Sequence, residues 1–369
     1  MKILAQISRF LVGVLFIISG FIKANDPLGF SYKLDEYFQV FNMPWLSFIS
    51  LWLAIGICAF EIGLGVALLL GSRMIFTAWS LLLMIIFFTF LTFYSWYFDV
   101  VKDCGCFGDA LHLSPFQSFM KDVVLSVLIL FIFIKRKEII PLFGERASTY
   151  LSYAGFIASF SFSIYCYTHL PVIDFRPYAV GKSIPEGMKL PPNAVTDSVV
   201  MMFIYEKDGK PVELTMDQLK DIDSTYKFID RKDKVIREGD KAPIHDFTIN
   251  SADGTDVTAD VLQMERVFLL VAYDISHTDK SIQSKINDFV ALCQQNKVEF
   301  IGLTASVPAE VDAFRHEHNS MFEYYFTDAT TLKTMIRSNP GLMLLKKGKV
   351  EAMWHFNDYP TFDEVKAIL

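Results

Sequence analysis

Apolar residues crowd into the first 170 positions of this chain, and charged residues concentrate after residue 180. Five apolar stretches stand out: Phe10 to Ile22, Trp45 to Leu70, Met74 to Tyr97, Phe119 to Ile134 and Tyr150 to Leu170. A helix needs about 20 apolar residues to cross the hydrocarbon core of a bilayer, so each stretch is a candidate span. The second is long enough to tilt, while the first and fourth are short at their strict apolar limits. Lipid offers the backbone no hydrogen-bond partners, so the spans must be helices. No small-residue cleavage site follows the first stretch, which ends Gly20-Phe21-Ile22-Lys23, and more spans come after it. It therefore reads as a retained anchor rather than a signal peptide.

The pattern changes in the second half. Residues 171–237 form a bridge with Pro185, Pro191 and Pro192, and a hairpin is expected from Val199 to Tyr205 and Pro211 to Leu214, turning at Asp208-Gly209. From Gly239, short strands alternate with helices. Phe247-Thr248-Ile249 reads as a strand, and Val267 to Ala272 as a strand buried on both faces. A helix over Lys280 to Gln295 places Ile282, Ile286, Phe289, Val290 and Cys293 on one face, where Cys293 acts as a small core hydrophobe. Phe300 to Leu303 is a strand, Pro308 to His318 a helix, and Phe322 to Phe326 a strand. Leu342 to Leu345 pairs with Val350 to Trp354 across Lys347-Gly348, and a helix from Thr361 to Leu369 closes the chain. This order predicts a layered α/β domain.

Composition agrees with two solvents. Mean hydropathy is +0.34 and 52% of the 369 residues are hydrophobic, which is high for a wholly water-soluble protein. The net charge of −7 and the lack of a basic patch interleaved with aromatics argue against a nucleic-acid partner. Lys2, Arg9, Arg73, Lys135, Arg136, Lys137 and Arg146 fall in alternate connections, which places the N-terminus in the cytoplasm. Five crossings then put the loop after the third span and the C-terminal domain outside. Trp45, Trp52, Trp96, Tyr97, Tyr165 and Tyr167 fall near the outer ends, as an aromatic belt would.

Five cysteines do not make a disulfide framework. Two of them lie in Asp103-Cys104-Gly105-Cys106-Phe107-Gly108-Asp109, on the oxidising side. A Cys-x-Cys disulfide closes a small, strained ring, which suits an exchanging bond. The alternatives are a structural linkage and a metal clip using His112 and Asp109; zinc sites prefer four strong ligands, against two thiols here. Glu61 is an ionisable group inside the second span, hence a functional candidate, or else a protonated residue bonded to a neighbouring helix. Cys58, one turn away on the same face, is either packing or the wall of a quinone pocket. Cys166 lies near the outer end of the fifth span, and Lys23 is expected to snorkel to the surface.

Two resemblances follow from these residues. Cys-Gly-Cys-Phe-Gly after a third span, Ser19 to Ala24 followed by Asp26-Pro27, and Glu61 with Gly63, Gly65 and Gly71 resemble the DoxX and methylamine-utilisation MauE group of membrane proteins. That resemblance implies a four-helix bundle over residues 1–137 linked to thiol redox chemistry, to which a fifth helix is added over 138–170. Gly239 to Pro243 with Phe247 is similar to the opening segment of thioredoxin-like peroxidases and the TlpA family, and Pro340 stands where thioredoxins carry a cis-proline. Residues 238–369 are thus expected to be a thioredoxin-like domain. The reactive Cys-x-x-Cys is missing from it: the loop after Val267 to Ala272 reads Tyr273-Asp274-Ile275-Ser276-His277-Thr278-Asp279. The joined arrangement resembles chains of the Bacteroidetes, whose envelope has a periplasm.

The expectation is an inner-membrane thiol-redox or maturation factor. Cys104 and Cys106 would be its reactive pair, and a membrane quinone near Glu61 and Cys58 its electron acceptor. The tail would be a platform that holds a periplasmic client or redox partner at Asn339 and Pro340. The rival expectations are a non-enzymatic envelope scaffold and a quinone- or small-molecule-binding bundle centred on Glu61.

Overall fold

The computed structural model describes residues 2–369 apart from 102–107, 112, 193, 195–197, 208–209, 217, 224, 238 and 240. The N-terminal part is helical: α1 (Lys2–Asn25), α2 (Pro27–Val40), α3 (Ser50–Leu70), α4 (Met74–Phe98), α5 (Pro115–Lys135) and α6 (Glu145–Thr168). Among the described residues four helical segments are long and apolar enough to cross a membrane: Ile3–Asn25, Pro44–Leu70, Met74–Phe98 and Pro115–Glu138. They make the chain a multi-pass membrane protein. Leucine, isoleucine and phenylalanine side chains face outward along them, as lipid-facing helices require, and Val12, Phe16, Leu68, Leu81, Ile85 and Ile129 close an apolar core.

The helix ends are written in the sequence. Ser114 and Gln117 form a capping box ahead of α5, with Pro115 in its first turn. Gly71, at φ +68°, terminates α3, and the buried guanidinium of Arg9 donates to the carbonyls of Leu68 at 2.8 Å and Leu69 at 2.6 Å. Glycine also sets the spacing of α1 and α3. A Cβ on Gly65 would meet the Gly13 carbonyl oxygen at 2.8 Å, so the two backbones touch.

The fifth expected span is a full helix, α6, lying along α3. Ser72 donates to Thr149 at one end, Ser159 donates to the Ala59 carbonyl at 3.3 Å, and Phe162 stacks on Phe21 towards the other end. Its inward face carries the buried serines Ser148, Ser152, Ser159 and Ser163, so it is less apolar than the other four. Ser152 and Ser159 donate back to carbonyls of their own helix. Beyond α6, Asn25 at the end of α1 grips the Ile173 backbone, donating to its carbonyl at 2.7 Å and accepting from its N–H at 3.0 Å.

The remainder is built from α7 (Ile184–Gly187), β1 (Ser198–Lys207), β2 (Lys210–Thr215), β3 (Lys227–Arg237), α8 (Thr258–Gln263), β4 (Val267–Val271), α9 (Gln283–Gln295), β5 (Glu299–Thr304), α10 (Pro308–His318), β6 (Tyr324–Phe326), α11 (Ala329–Met335), β7 (Gly341–Lys346), β8 (Lys349–His355) and α12 (Phe362–Val365). β1 and β2 are the expected hairpin; Asp208 and Gly209 at its turn lie outside the described residues. β3 pairs with the other side of β1 and completes a three-stranded antiparallel sheet.

The second sheet has the order β6-β5-β4-β7-β8, with β4, β5 and β6 parallel and the β7–β8 hairpin antiparallel. With the α9 crossover between β4 and β5, this is a thioredoxin-like fold. Every residue of β4 is buried because both faces are covered: Val267, Leu269 and Val271 meet α8 and α11, while Phe268 and Leu270 meet α9 and α10. Lys347 and Gly348, both at positive φ, make the β7–β8 turn. Phe247 to Ile249 packs in the core but forms no strand; pairing is confined to Asn250 with Phe326 and Asp256. The closing helix is shorter than expected, held by a Thr361–Glu364 capping box. Tyr178 and Ile184 from the bridge enter the same core, and residues 181–184 pair with Gly348 and Val350, so the domain draws on chain well before residue 238.

Candidate functional site at the junction of bundle and tail

Cys104 and Cys106 lie outside the described residues, as does His112. The flanks of their loop are described. Val101 is buried with Tyr37 and Leu91 in a cluster between α2 and α4. On the other side, Gly108–Ala110 forms a 3-10 turn from which the Asp109 carboxylate reaches Arg337 of the tail at 3.2 Å. Both ends of the cysteine loop are therefore fixed at the tail-facing end of the bundle. Asp109, weighed from sequence as one ligand of a metal clip, pairs with the Arg337 guanidinium; the other three residues of that clip lie outside the described residues.

The thioredoxin-like tail turns its loop edge towards that place. After β4, Asp274 accepts from the N–H groups of Ser276 at 3.0 Å and His277 at 3.3 Å and opens a 3-10 turn. The Ser276 hydroxyl and the Asp274 carboxylate both meet Nδ1 of His277, each at 2.8 Å. A nucleophile and an orienting carboxylate need opposite ring nitrogens, so this trio is not a hydrolytic triad. The Asn339–Pro340 peptide bond is cis. Asn339 donates to the Asp274 carbonyl at 2.8 Å and its own carbonyl accepts from Asp279 N–H at 2.9 Å, which joins the two loops. Cys293, on the inner face of α9, is wholly buried and its thiol is pushed up to about 12 by burial, so it stays unreactive packing.

These loops rest on the bundle. Tyr32 on α2 donates to the Tyr273 hydroxyl at 3.3 Å, and burial raises both phenols above their ordinary range. Lys333 lies 4.9 Å over the Tyr32 ring, and Asn357 donates to the Thr168 carbonyl at the end of α6. Arg337 sits at the centre, 7% exposed, with Nε 2.9 Å and Nη2 2.9 Å from Asp26 Oδ2. Burial alone would lower its pKa; the charges of Asp26 and Asp109 more than reverse this. Neither Arg337 nor Tyr32 stood out in the sequence, because their partners are remote along the chain. Asp26 caps α2 and Pro27 stands in its first turn, and the buried face of that helix includes Phe30, Leu34 and Tyr37.

Deeper in the bundle, the Lys23 ammonium meets Glu61 at 2.5 Å with both side chains buried. Lys23 does not snorkel: α1 and α3 pack so closely that its side chain turns inward, donating to Ser19 at 3.2 Å and lying 4.9 Å over the Phe88 ring. Cys58 packs with Ala24, Phe30, Leu34, Ala54 and Ile62, and Cys166 is also a buried free thiol. A further buried carboxylate, Asp122 on α5, accepts from Thr92 at 3.0 Å and pairs with Lys121 at 2.9 Å. It escaped notice because a single aspartate next to a lysine at a span's edge looks like ordinary surface chemistry.

Comparison with known proteins separates the two halves. Residues 1–135 match the family described as methylamine utilisation protein MauE, and residues 199–238 match a domain of unknown function, DUF8463. Protein TlpB of Flavobacterium psychrophilum is 26% identical over 130 residues, 34% of this chain and 35% of that protein. The chain thus spans about a third of the length of the curated relative it matches. Among solved structures, a candidate protein disulfide isomerase from Bacteroides thetaiotaomicron is 20% identical, covering 34% of this chain and 84% of that one at a TM-score of 0.28. BsSco, a member of the Sco family of cytochrome c oxidase assembly proteins, is 13% identical, covering 34% and 90%, with a TM-score of 0.28.

Proposed function

We propose that the chain is an inner-membrane thiol-redox or maturation factor with a cytoplasmic N-terminus and a periplasmic tail, α6 being its fifth crossing. Cys104 and Cys106 are its exchanging pair. In the oxidised state their disulfide accepts a client thiolate, a mixed disulfide forms, and the client's second thiolate releases an oxidised client and two reduced thiols. A membrane quinone takes the resulting two electrons and two protons and becomes a quinol. The buried Lys23–Glu61 pair, with Cys58 beside it, is the candidate place for that quinone's head group. The tail supplies no accessible thiol, Cys293 being buried; it holds the client or partner near the loop.

One observation carries this reading. The edge of the tail formed by Tyr273, Arg337 and Pro340 is seated beside the loop that bears the Cys pair, through the Arg337–Asp109 contact. A thioredoxin-like fold whose one described cysteine, Cys293, is buried packing touches the flank of a loop whose sequence carries two cysteines.

The test is a trap. In cells carrying Cys104→Ser or Cys106→Ser, the remaining thiolate is expected to accumulate a mixed disulfide, seen as a reducible shift on a non-reducing gel. If neither variant traps a partner and both support growth as the unaltered chain does, the redox reading fails.

The occupied edge also favours a second reading, a non-enzymatic envelope scaffold. Asn339 and Asp274 are already bonded to each other, and Tyr273 to the bundle. On that reading the double Cys→Ser chain keeps full function, and substitutions at Asn339 and Pro340 do not.

A further inference from the structure

We propose that the groove between α3 and α4 binds an anionic phospholipid, with its phosphate on Arg73 and one acyl chain laid along α4. The site lies away from the junction of bundle and tail. The tail is seated at the ends of α1 and α6, on Asp26 and Thr168, whereas Arg73 stands where α3 ends and α4 begins, at the opposite end of the bundle. It is independent of the thiol-redox reading.

The groove has a volume of about 370 Å³ and is lined by Ile57 and Phe60 of α3 and by Phe76, Leu83, Met84 and Phe87 of α4. Its α4 residues recur at spacings of three and four, so they form one stripe along the helix. Arg73 precedes Phe76 by three positions, and its carbonyl accepts from Thr77 N–H at 3.0 Å, so it shares the helical register and heads that stripe. From Phe76 to Phe87 the helix rises about 17 Å, roughly half of a hydrocarbon core about 30 Å thick. The groove is therefore one leaflet deep, the reach of one acyl chain anchored at the bundle's end. Its chemistry also suits a chain. Among the described lining residues Ser80 carries the only hydroxyl, and the Lys23 ammonium, 4.9 Å from the Phe88 ring, is engaged by Glu61 and Ser19. A quinone head group would find few donors for its carbonyl oxygens there.

The head of the stripe suits a phosphate. Arg73 is exposed and lies at φ +40°, a left-handed conformation that costs an arginine more than a glycine. Its guanidinium sits 5.6 Å over the Tyr153 ring of α6, and the neighbouring Ser72 donates to Thr149 of the same helix, which fixes the direction of the turn. Among the described residues no carboxylate pairs with Arg73. The planar fork of a guanidinium matches phosphate oxygens two at a time. The surroundings are cationic as well. Leu142 N–H donates to the Leu70 carbonyl, which brings the α5–α6 connection to this end, and there Lys135, Arg136, Lys137 and Arg146 outnumber Glu138 and Glu145.

The experiment is native mass spectrometry of the full chain in detergent, stripped of lipid and titrated with dioleoylphosphatidylglycerol or the zwitterionic dioleoylphosphatidylcholine. The anionic lipid is expected to bind about fivefold more tightly, the worth of one basic residue at a charged membrane surface. Arg73→Gly suits the left-handed turn and is expected to abolish that preference. Leu83 is 63% exposed over the groove, so Leu83→Trp fills the groove without entering the core and is expected to lose both lipids. Leu130→Trp, on the lipid face of α5, is expected to bind as the unaltered chain does. Inorganic phosphate alone is expected to leave the lipid in place, since it has no chain to occupy the stripe. Equal binding of the two lipids, a preference that survives Arg73→Gly, or Leu83→Trp binding like Leu130→Trp overturns the proposal. So does displacement of the lipid by inorganic phosphate or by a menaquinone, which would assign the groove to another ligand.

Discussion

Lys23 and Glu61 bring two opposite charges into an apolar bundle, and their energetics are asymmetric. Breaking such a pair leaves one charge without compensation, at a cost of about 3–5 kcal/mol, whereas replacing both with apolar side chains is often neutral. Lys23→Met alone is therefore expected to lower the thermal unfolding temperature of the detergent-solubilised chain sharply. Lys23→Met combined with Glu61→Met should restore most of it. Glu61 was recognisable in the sequence as an ionisable residue within a span, but its partner was not: Lys23 sits at a span end, where the usual expectation is an escape to water. A second residue with a legible consequence is His355, at the end of β8. Burial pushes its imidazole down to about 4, with Asp358 and Asp279 pulling it up and His169 opposing them. Between its ordinary value of 6.5 and about 4 the unfolded chain takes up a proton that the folded one refuses. Folding stability therefore falls as the pH drops through that window, by on the order of 3 kcal/mol. Denaturant titrations at pH 7 and pH 4.5 should show this slope, and His355→Gln should flatten it.

At the level of elements, close helix approach depends on a few glycines. Gly65→Ala would press its Cβ onto the Gly13 carbonyl and, at 3.1 Å, the Ile17 amide. Backbone cannot move aside as a side-chain tip can, so α1 and α3 must separate, at an expected cost of about 1–3 kcal/mol. Gly56 lies on the same helix with open space around its Cα, and Gly56→Ala should leave stability unchanged or slightly higher. A pair of thermal melts decides it. The spans and the second-half strands were readable because both depend on local periodicity: VFLLVA is a buried strand wherever it occurs between two helical layers. β3 was missed for the opposite reason. Its residues Lys227, Asp230, Arg231, Lys232 and Asp233 are polar and exposed, so no alternation marks it, and only pairing with β1 makes it a strand. α2 was readable in principle from its cap, yet a 14-residue helix between spans is easily passed over as a loop.

Across the whole molecule, the tail and the bundle meet through side chains from both. The candidate site lies where they meet, and no local pattern could reveal it: Tyr32 and Tyr273 are 241 positions apart, Asp26 and Arg337 311. Exposed Trp45, Trp52, Trp96 and Tyr97 ring the same end of the bundle, so the junction lies near the level of their aromatic belt. Seating should be visible as slow exchange. Amides of α2 are expected to lose protection in Arg337→Gln by about tenfold while those of β4 stay protected, as measured by hydrogen exchange.

The span of 311 residues between Asp26 and Arg337 also dictates an order of events during synthesis. Asp26 leaves the ribosome 311 residues ahead of Arg337, and chain growth proceeds at about 5–20 residues per second. Asp26 then awaits its cation for at least about 15 seconds, and Asp109, 228 residues ahead of Arg337, for at least about 11 seconds. The tail cannot seat before residue 337 has been made, and a ribosome that stops short of it releases a bundle whose Asp26 and Asp109 lack that guanidinium.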